Sequence, residues 1–105
     1  MKQNDLHLIV KQLGQIAHVE KCKSYTIVSN LSDNQVITEL TLKTFEENAK
    51  KMNLFRTHQS HLVNLALVKE IIDKGLGSKL VLENDNTIPL SKRKRMKLKN
   101  LLQFK

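Results

Sequence analysis

The chain is poor in several residue types, and each scarcity narrows what it can be. Its 105 residues contain one cysteine, one proline, three glycines, one tyrosine, three phenylalanines and no tryptophan. A single cysteine, Cys22, cannot close an internal disulfide, so a reducing, cytoplasmic setting is expected and the thiol is expected to pack. With so little proline and glycine, and no Ser/Gly-rich stretch or internal repeat, nothing divides the chain, and residues 1–105 read as one domain. No apolar run approaches the ~18 residues that a membrane span needs, and no signal-type apolar region follows Met1. Paired carboxylates and a glycine-rich phosphate loop are both missing. The expectation is a protein without catalytic activity, cofactor, metal or small-molecule substrate.

Acid is also missing where base is densest. Residues 1–50 balance six lysines against six acids, whereas residues 51–105 carry twelve Lys and Arg against four acids. The whole net charge of +8 therefore lies in the second half. Residues 92–99 hold six cations and no acid. A solvated helix face usually mixes signs, so a block of one sign points to a polyanionic partner.

What is present in abundance is polarity, concentrated in one place. Within Phe55-Arg56-Thr57-His58-Gln59-Ser60-His61-Leu62-Val63-Asn64, six polar side chains in a row are bracketed by apolar residues. A segment that only builds a core alternates polar and apolar positions, and this one does not. Arg and Gln can each make two hydrogen bonds to one base edge, while His and Ser reach a base or a phosphate.

Periodicity places these residues on elements. Residues 6–10 read as a short strand, Gly14 marks a turn, and 16–19 and 25–28 read as further strands rich in β-branched residues. Ser32-Asp33-Asn34 is a turn cluster answered by a return strand over 36–40. Leu42, Phe45, Ala49 and Met52 then form one helical stripe, with Thr41 or Thr44 as cap and an end near Asn53. Strands are expected over 68–73 and 79–83, with a loop at Gly75 and Gly77 and a hairpin turn at Asn84-Asp85-Asn86. Thr87-Ile88-Pro89 returns, and because Pro89 has no N–H to donate, its strand should end there or lie on an edge. Ser91 caps a final helix whose Met96, Leu98, Leu101 and Leu102 are candidates to dock on the body. That helix opens with four consecutive cations, which its own dipole disfavours and a bound phosphate oxygen would offset.

Phe55-Arg56-x-His58-x-Ser60-x-x-Val63-Asn64, followed by two strands and Ile88-Pro89-Leu90-Ser91-Lys92-Arg93, resembles the LytTR family of bacterial DNA-binding domains. Residues 16–20 followed by Tyr25-Thr26, and the helix carrying Leu42 and Phe45 just before Phe55, fit the same layout, so the resemblance runs from about Leu6 to Leu102. It implies a compact, mostly antiparallel β fold with short α-helices and a basic C-terminal helix, in which loops enter the DNA grooves. It also implies a transcription regulator, either free-standing or the output domain of a two-component response regulator. The partner would be promoter duplex with repeated short elements, on which a dimer could assemble. The DNA-facing segments would be Lys23, Ser24 and Tyr25; Arg56, His58, Gln59 and Ser60; and Lys92 and Arg93. The family commonly has Arg or Asn in place of Gln59 and an aromatic in place of His61, departures that would shift the preferred base sequence.

Weighed residue by residue, Arg93 is the candidate reader of guanine, since its fork matches the O6/N7 pair, and Gln59 the reader of adenine. The alternatives are a phosphate contact for Arg93 and a loop-stabilising amide for Gln59. Lys23 is the third candidate for base contact. Ser24, Tyr25, Arg56, His58, Ser60, Lys92 and Arg95 are candidates for phosphate, which positions a protein without reading sequence. Arg56 could equally pair with an acid of its own domain, and His58 could buttress the loop from inside. Asn64 reads as a turn cap. His58 and His61 have a spacing that a metal could use, but no Cys or Glu lies near them in sequence. Two other functions compete: a small basic structural RNA-binding protein, and attachment to an anionic membrane through residues 92–105. Single-strand readers display several exposed aromatics, and this chain has few to offer.

Overall fold

The computed structural model of the chain describes residues 2–74 and 77–102, with side chains over 6–73 and 77–98. Its elements run α1 (Lys2–Leu13), β1 (His18–Cys22), β2 (Tyr25–Ser29), β3 (Gln35–Thr38), α2 (Leu42–Glu47), α3 (Ala49–Met52), β4 (Leu54–His58), β5 (His61–Asn64), β6 (Val68–Lys74), β7 (Gly77–Leu82), β8 (Thr87–Leu90) and α4 (Lys92–Leu102). The architecture is antiparallel β with short helices, as the sequence implies. Two sheets form, a five-stranded one ordered β3-β2-β1-β5-β4 and a three-stranded one ordered β6-β7-β8.

The strand expected over residues 6–10 is instead part of α1. Leu6, Ile9, Val10 and Leu13 fall at i, i+3, i+4 and i+7, and Ile9 and Leu13 are buried while Leu8 is exposed. Leu8-Ile9-Val10 is apolar throughout, so five residues cannot distinguish the two periods, and the docked stripe decides. Gly14, at φ 73°, ends the helix in the left-handed region and donates its N–H to the Val10 carbonyl at 2.8 Å. This is the single-bond left-handed C-cap that glycine accommodates without a Cβ penalty.

The helical stripe from Leu42 to Met52 forms as two pieces, broken at Asn48. Thr41, not Thr44, is the cap: its hydroxyl oxygen accepts from the Thr44 N–H. Asn53, at φ 56°, closes the second piece where an end was expected. Among the expected loop residues Gly75 lies outside the described residues, and Gly77 opens β7. Asp85 takes φ 73° in the β7–β8 turn, and Pro89 sits on β8, the edge of its sheet.

The five-stranded sheet is covered on both faces. Leu62 and Val63 are adjacent on β5 and fully buried, and because strand neighbours point to opposite faces they enter different cores. Leu62 joins Ile9, Leu13, Val19, Val28, Leu42 and Phe45 beneath α1 and α2. Val63 joins Leu80, Leu82, Ile88, Leu90 and Leu98 between the sheets and α4. Of the candidates for docking α4, Leu98 is fully buried, Met96 is exposed, and the Leu101 and Leu102 side chains lie outside those described.

Asn64 closes the β5 end. Its side-chain oxygen accepts from the Ala66 N–H at 2.9 Å, capping a short 3₁₀ turn over Leu65–Leu67, and its amide donates to the Ile16 carbonyl at 2.8 Å. Asn64 is 1% exposed and Ile16 is buried beside it, while Ala66 stands at the surface. Asn64→Ala leaves the buried Ile16 carbonyl unmatched and removes the cap of the 3₁₀ turn, and about 1–3 kcal/mol of stability should be lost. The midpoint of urea unfolding, at unchanged slope, measures it.

Candidate nucleic-acid interface

Two hairpin tips and one helix start meet at the same edge of the molecule. The first tip is Lys23-Ser24, a two-residue loop between paired Cys22 and Tyr25. Lys23 takes φ 57°, a conformation in which a Cβ is crowded, and which hairpin turns favour because it matches strand twist. The second tip is Gln59-Ser60, between paired His58 and His61. The third segment is Ser91 with the opening turn of α4.

Backbone hydrogen bonds join the three. The Lys21 N–H donates to the Ser60 carbonyl at 2.9 Å, extending the β1–β5 ladder to the second tip. The Ser91 N–H donates to the Thr57 carbonyl at 2.8 Å, tying the start of α4 to β4. Thr57 is available for this because β4 bulges between Arg56 and His58, which pair with Leu62 and His61. A bulge leaves one residue outside the ladder and turns its backbone groups to other partners. The Thr57 hydroxyl, fully buried, has no hydrogen-bond partner among the described residues.

Arg56 sets the shape of the second tip. Its Nε donates to the His58 carbonyl at 3.1 Å, one terminal nitrogen donates to the Gln59 carbonyl at 2.7 Å, and the other meets Glu46 Oε1 at 2.7 Å. A planar fork can hold two carbonyls and a carboxylate together; an ammonium cannot. Of the two roles open to Arg56 in the sequence, the free protein uses the internal pair. The His58 ring also turns inward, its Nδ1 accepting from the Ser60 N–H at 3.4 Å. The Gln59 side chain stays exposed.

The basic run divides in the same way. Lys94 lies over the Phe55 ring at 5.7 Å, a cation–π contact, and Arg95 pairs with Asp73 at 2.7 Å. Lys92 and Arg93 are exposed and enter no ion pair among the described residues. Ser91 caps the helix through its hydroxyl and the Lys94 N–H. Between the two hairpin tips and the connection from β3 to α2 opens a cleft of about 540 Å³, walled among others by Lys23, Ser24, Tyr25, Glu39, Lys43 and Gln59. Tyr25 stands on its wall, 37% exposed, its hydroxyl accepting from the Cys22 thiol at 3.9 Å. All ten residues expected at the interface thus lie on or beside these three segments, and Arg56, His58 and Arg95 face their own chain.

Sequence reasoning missed Glu46 and Asp73, the acids that hold Arg56 and Arg95, because they lie 10 and 22 residues away along the chain. It also missed His18. On the face of β1 and β5, His18 Nε2 lies 2.9 Å from His61 Nδ1, with the rings nearly parallel at 5.1 Å. Burial, helped by neighbouring His61, pushes His18 down to about 4. His61 is lowered too, chiefly by burial, with Glu20 opposing and His58 reinforcing. Pairing 43 residues apart leaves no local signal.

The sequence pattern of the LytTr DNA-binding domain matches residues 7–103. The transcriptional regulatory protein BtsR of Escherichia coli strain K12 is 34% identical over 92 residues, covering 87% of this chain and 37% of that protein. BtsR of Salmonella typhi is 33% identical over the same length. The chain therefore spans a little over a third of these curated relatives. In fold it resembles the solved LytTr DNA-binding domain from Bacillus cereus, with a TM-score of 0.73 at 24% identity over 88% of this chain and 84% of that one.

The neutral His18 imidazole gives stability a pH dependence of definite sign. Between pH 6.5 and about 4 the unfolded chain binds a proton that the folded chain refuses. Stability is therefore full above pH 6.5 and falls as the pH drops toward 4, by about 2–3 kcal/mol. Urea midpoints at pH 7 and pH 5 should show the loss, and His18→Gln should flatten it.

Proposed function

This chain belongs to the LytTR family of DNA-binding domains, and we propose that it recognises promoter duplex through the three joined segments and so regulates transcription. The observation that carries this reading is the pair of hydrogen bonds Lys21–Ser60 and Ser91–Thr57, which brings Lys23, Gln59 and Arg93 to one edge. Loops on one edge can enter successive grooves of a duplex lying along it. Gln59 presents a donor–acceptor pair that suits adenine, and Arg93 a fork that suits guanine. Lys23 reaches from the first tip toward a neighbouring groove.

Lys92, Ser24, Tyr25 and Ser60 are proposed to meet phosphate. Arg56, His58 and Arg95 shape the interface in the free protein, and on DNA a phosphate oxygen would compete with Glu46 for Arg56 and with Asp73 for Arg95. The α4 start is the strongest anion site of the set: cations crowd the positive end of a helix dipole, and a phosphate there relieves them while accepting their hydrogen bonds. Repeated elements in the promoter, and two copies bound side by side, fit a module whose edge spans only a few base pairs. The regulator could stand alone or be the output part of a response regulator.

A structural RNA-binding role gains nothing from the fold. Phe45 is fully buried, Phe55 lies beneath Lys94, and Phe104 falls outside the described residues, which leaves Tyr25 as the exposed ring among those described. Membrane attachment through α4 loses Leu98 to the core, and no described helix is long and apolar enough to cross a membrane.

Two outcomes test the proposal. With about five phosphates neutralised, duplex affinity should fall with salt at a log–log slope of roughly −4 to −5, and a slope shallower than about −2 would refute a phosphate-dominated interface. Arg93→Ala should cost ~1–3 kcal/mol on a site selected from a random duplex pool and hardly alter binding to random duplex. Equal losses on both would reduce Arg93 to a phosphate contact.

A further inference from the structure

The register of β1 and β5 collects a donor set that the DNA-reading segments do not use. Glu20 lies directly opposite His61, and His18 lies opposite Val63 two residues along β1. Cross-strand partners share a face, and so do residues two apart on a strand, so His18, Glu20 and His61 project to the same side. One ligand atom from each lies within 4.8 Å of the others. Glu20 enters none of the ion pairs among the described residues.

We propose that His18, Glu20 and His61 bind a first-row divalent cation of the zinc class. Zinc bound tetrahedrally at about 2.0–2.2 Å needs its donor atoms roughly 3.3–3.5 Å apart. The His18 and His61 nitrogens, at 2.9 Å, must open slightly and the Glu20 carboxylate must close by up to about 1.5 Å, a movement within reach of side-chain rotation. In the free chain one imidazole donates to the other across that gap; when the donating ring carries its proton on its other nitrogen instead, both lone pairs face the gap and can hold the cation. Two imidazoles and a carboxylate select zinc, cobalt, nickel or copper over magnesium and calcium, which prefer all-oxygen shells. Three protein ligands leave a position for water.

His58 does not join the set. Its ring stands edge-on to His61 at 5.5 Å, and its Nδ1 already accepts from the Ser60 N–H. It lines the site and connects it to the second hairpin tip. The cation would thus staple β1 to β5 just below the place where the Lys21 N–H holds the Ser60 carbonyl. The local sequence conceals the site, because His58-x-x-His61 suggests the wrong pair and Glu20 and His18 come from the other hairpin.

The test uses the whole chain, free of DNA, with cobalt and zinc as probes. Cobalt titration should develop a saturable visible absorption band that zinc abolishes. Zinc at tenfold its dissociation constant should raise Tm by about 6–11 °C, with no rise from magnesium or calcium at the same concentration. Glu20→Gln, at a partly exposed position, should weaken zinc at least tenfold, and His18→Gln with His61→Gln should remove binding. No saturable zinc effect up to millimolar concentration overturns the proposal. So does undiminished binding in the double variant, which would place the cation on other histidines. Should the double variant fail to fold, unchanged zinc affinity in Glu20→Gln has the same force. None of these readouts involves DNA, so the result stands apart from the regulatory reading.

Discussion

One backbone hydrogen bond, from Ser91 to the Thr57 carbonyl, ties the start of α4 to the strand that carries the Gln59 tip. Lys94 over the Phe55 ring and Leu98 in the core that Val63 shares reinforce that tie, so the donors of α4 and of the Gln59 tip keep a fixed relation. The bond exists because β4 bulges at Thr57, and the bulge is sustained by flanking residues with strong commitments. Arg56 grips two carbonyls and Glu46, while His58 accepts from Ser60. The exposed donors Lys23, Gln59, Lys92 and Arg93 are therefore displayed by a backbone that other residues hold rigid. Charge on the surface is the visible part of the design; the positioning is done underneath.

That division explains why a cationic run need not act as a unit. Of the four cations that open α4, Lys94 and Arg95 are absorbed by Phe55 and Asp73, and two face outward. Exposed ion pairs contribute little to stability, so the Arg95–Asp73 contact matters more for aiming the helix than for holding it. Leu98, fully buried, does the holding. The burial of Leu62 and Val63 in separate cores shows the same economy at the centre of the fold. One short strand anchors both layers, and the loops at its end inherit its rigidity.

The sequence revealed the parts of this arrangement that are local. The polar run 55–64, the Ser91 cap, the turns at Asp33 and Asp85 and the edge position of Pro89 each follow from adjacent residues with particular backbone needs. Those signals, with the resemblance they carry, anticipated the fold class and named the segments proposed as the interface. The first helix was illegible because Leu8-Ile9-Val10 is apolar on every side, and only the docked stripe of Leu6, Ile9, Val10 and Leu13 distinguishes helix from strand. The sequence leaves the clamp on Arg56 as one of two options, since Glu46 sits on another element. His18 and Glu20 were invisible as a pair with His61, because strand register brings them together and sequence spacing does not.

The split origin of the interface has a consequence for how activity is lost. Two of the three segments proposed for it come from the five-stranded sheet, and the third arrives on α4, whose Leu98 sits in the second core. Local opening usually proceeds through contiguous cooperative units well below the global unfolding free energy. Detachment of the β6-to-α4 unit would leave most strands intact by circular dichroism while scattering the groups proposed to read DNA. Affinity for duplex is thus a gauge of how the two layers are docked, and it will fade before the secondary structure does.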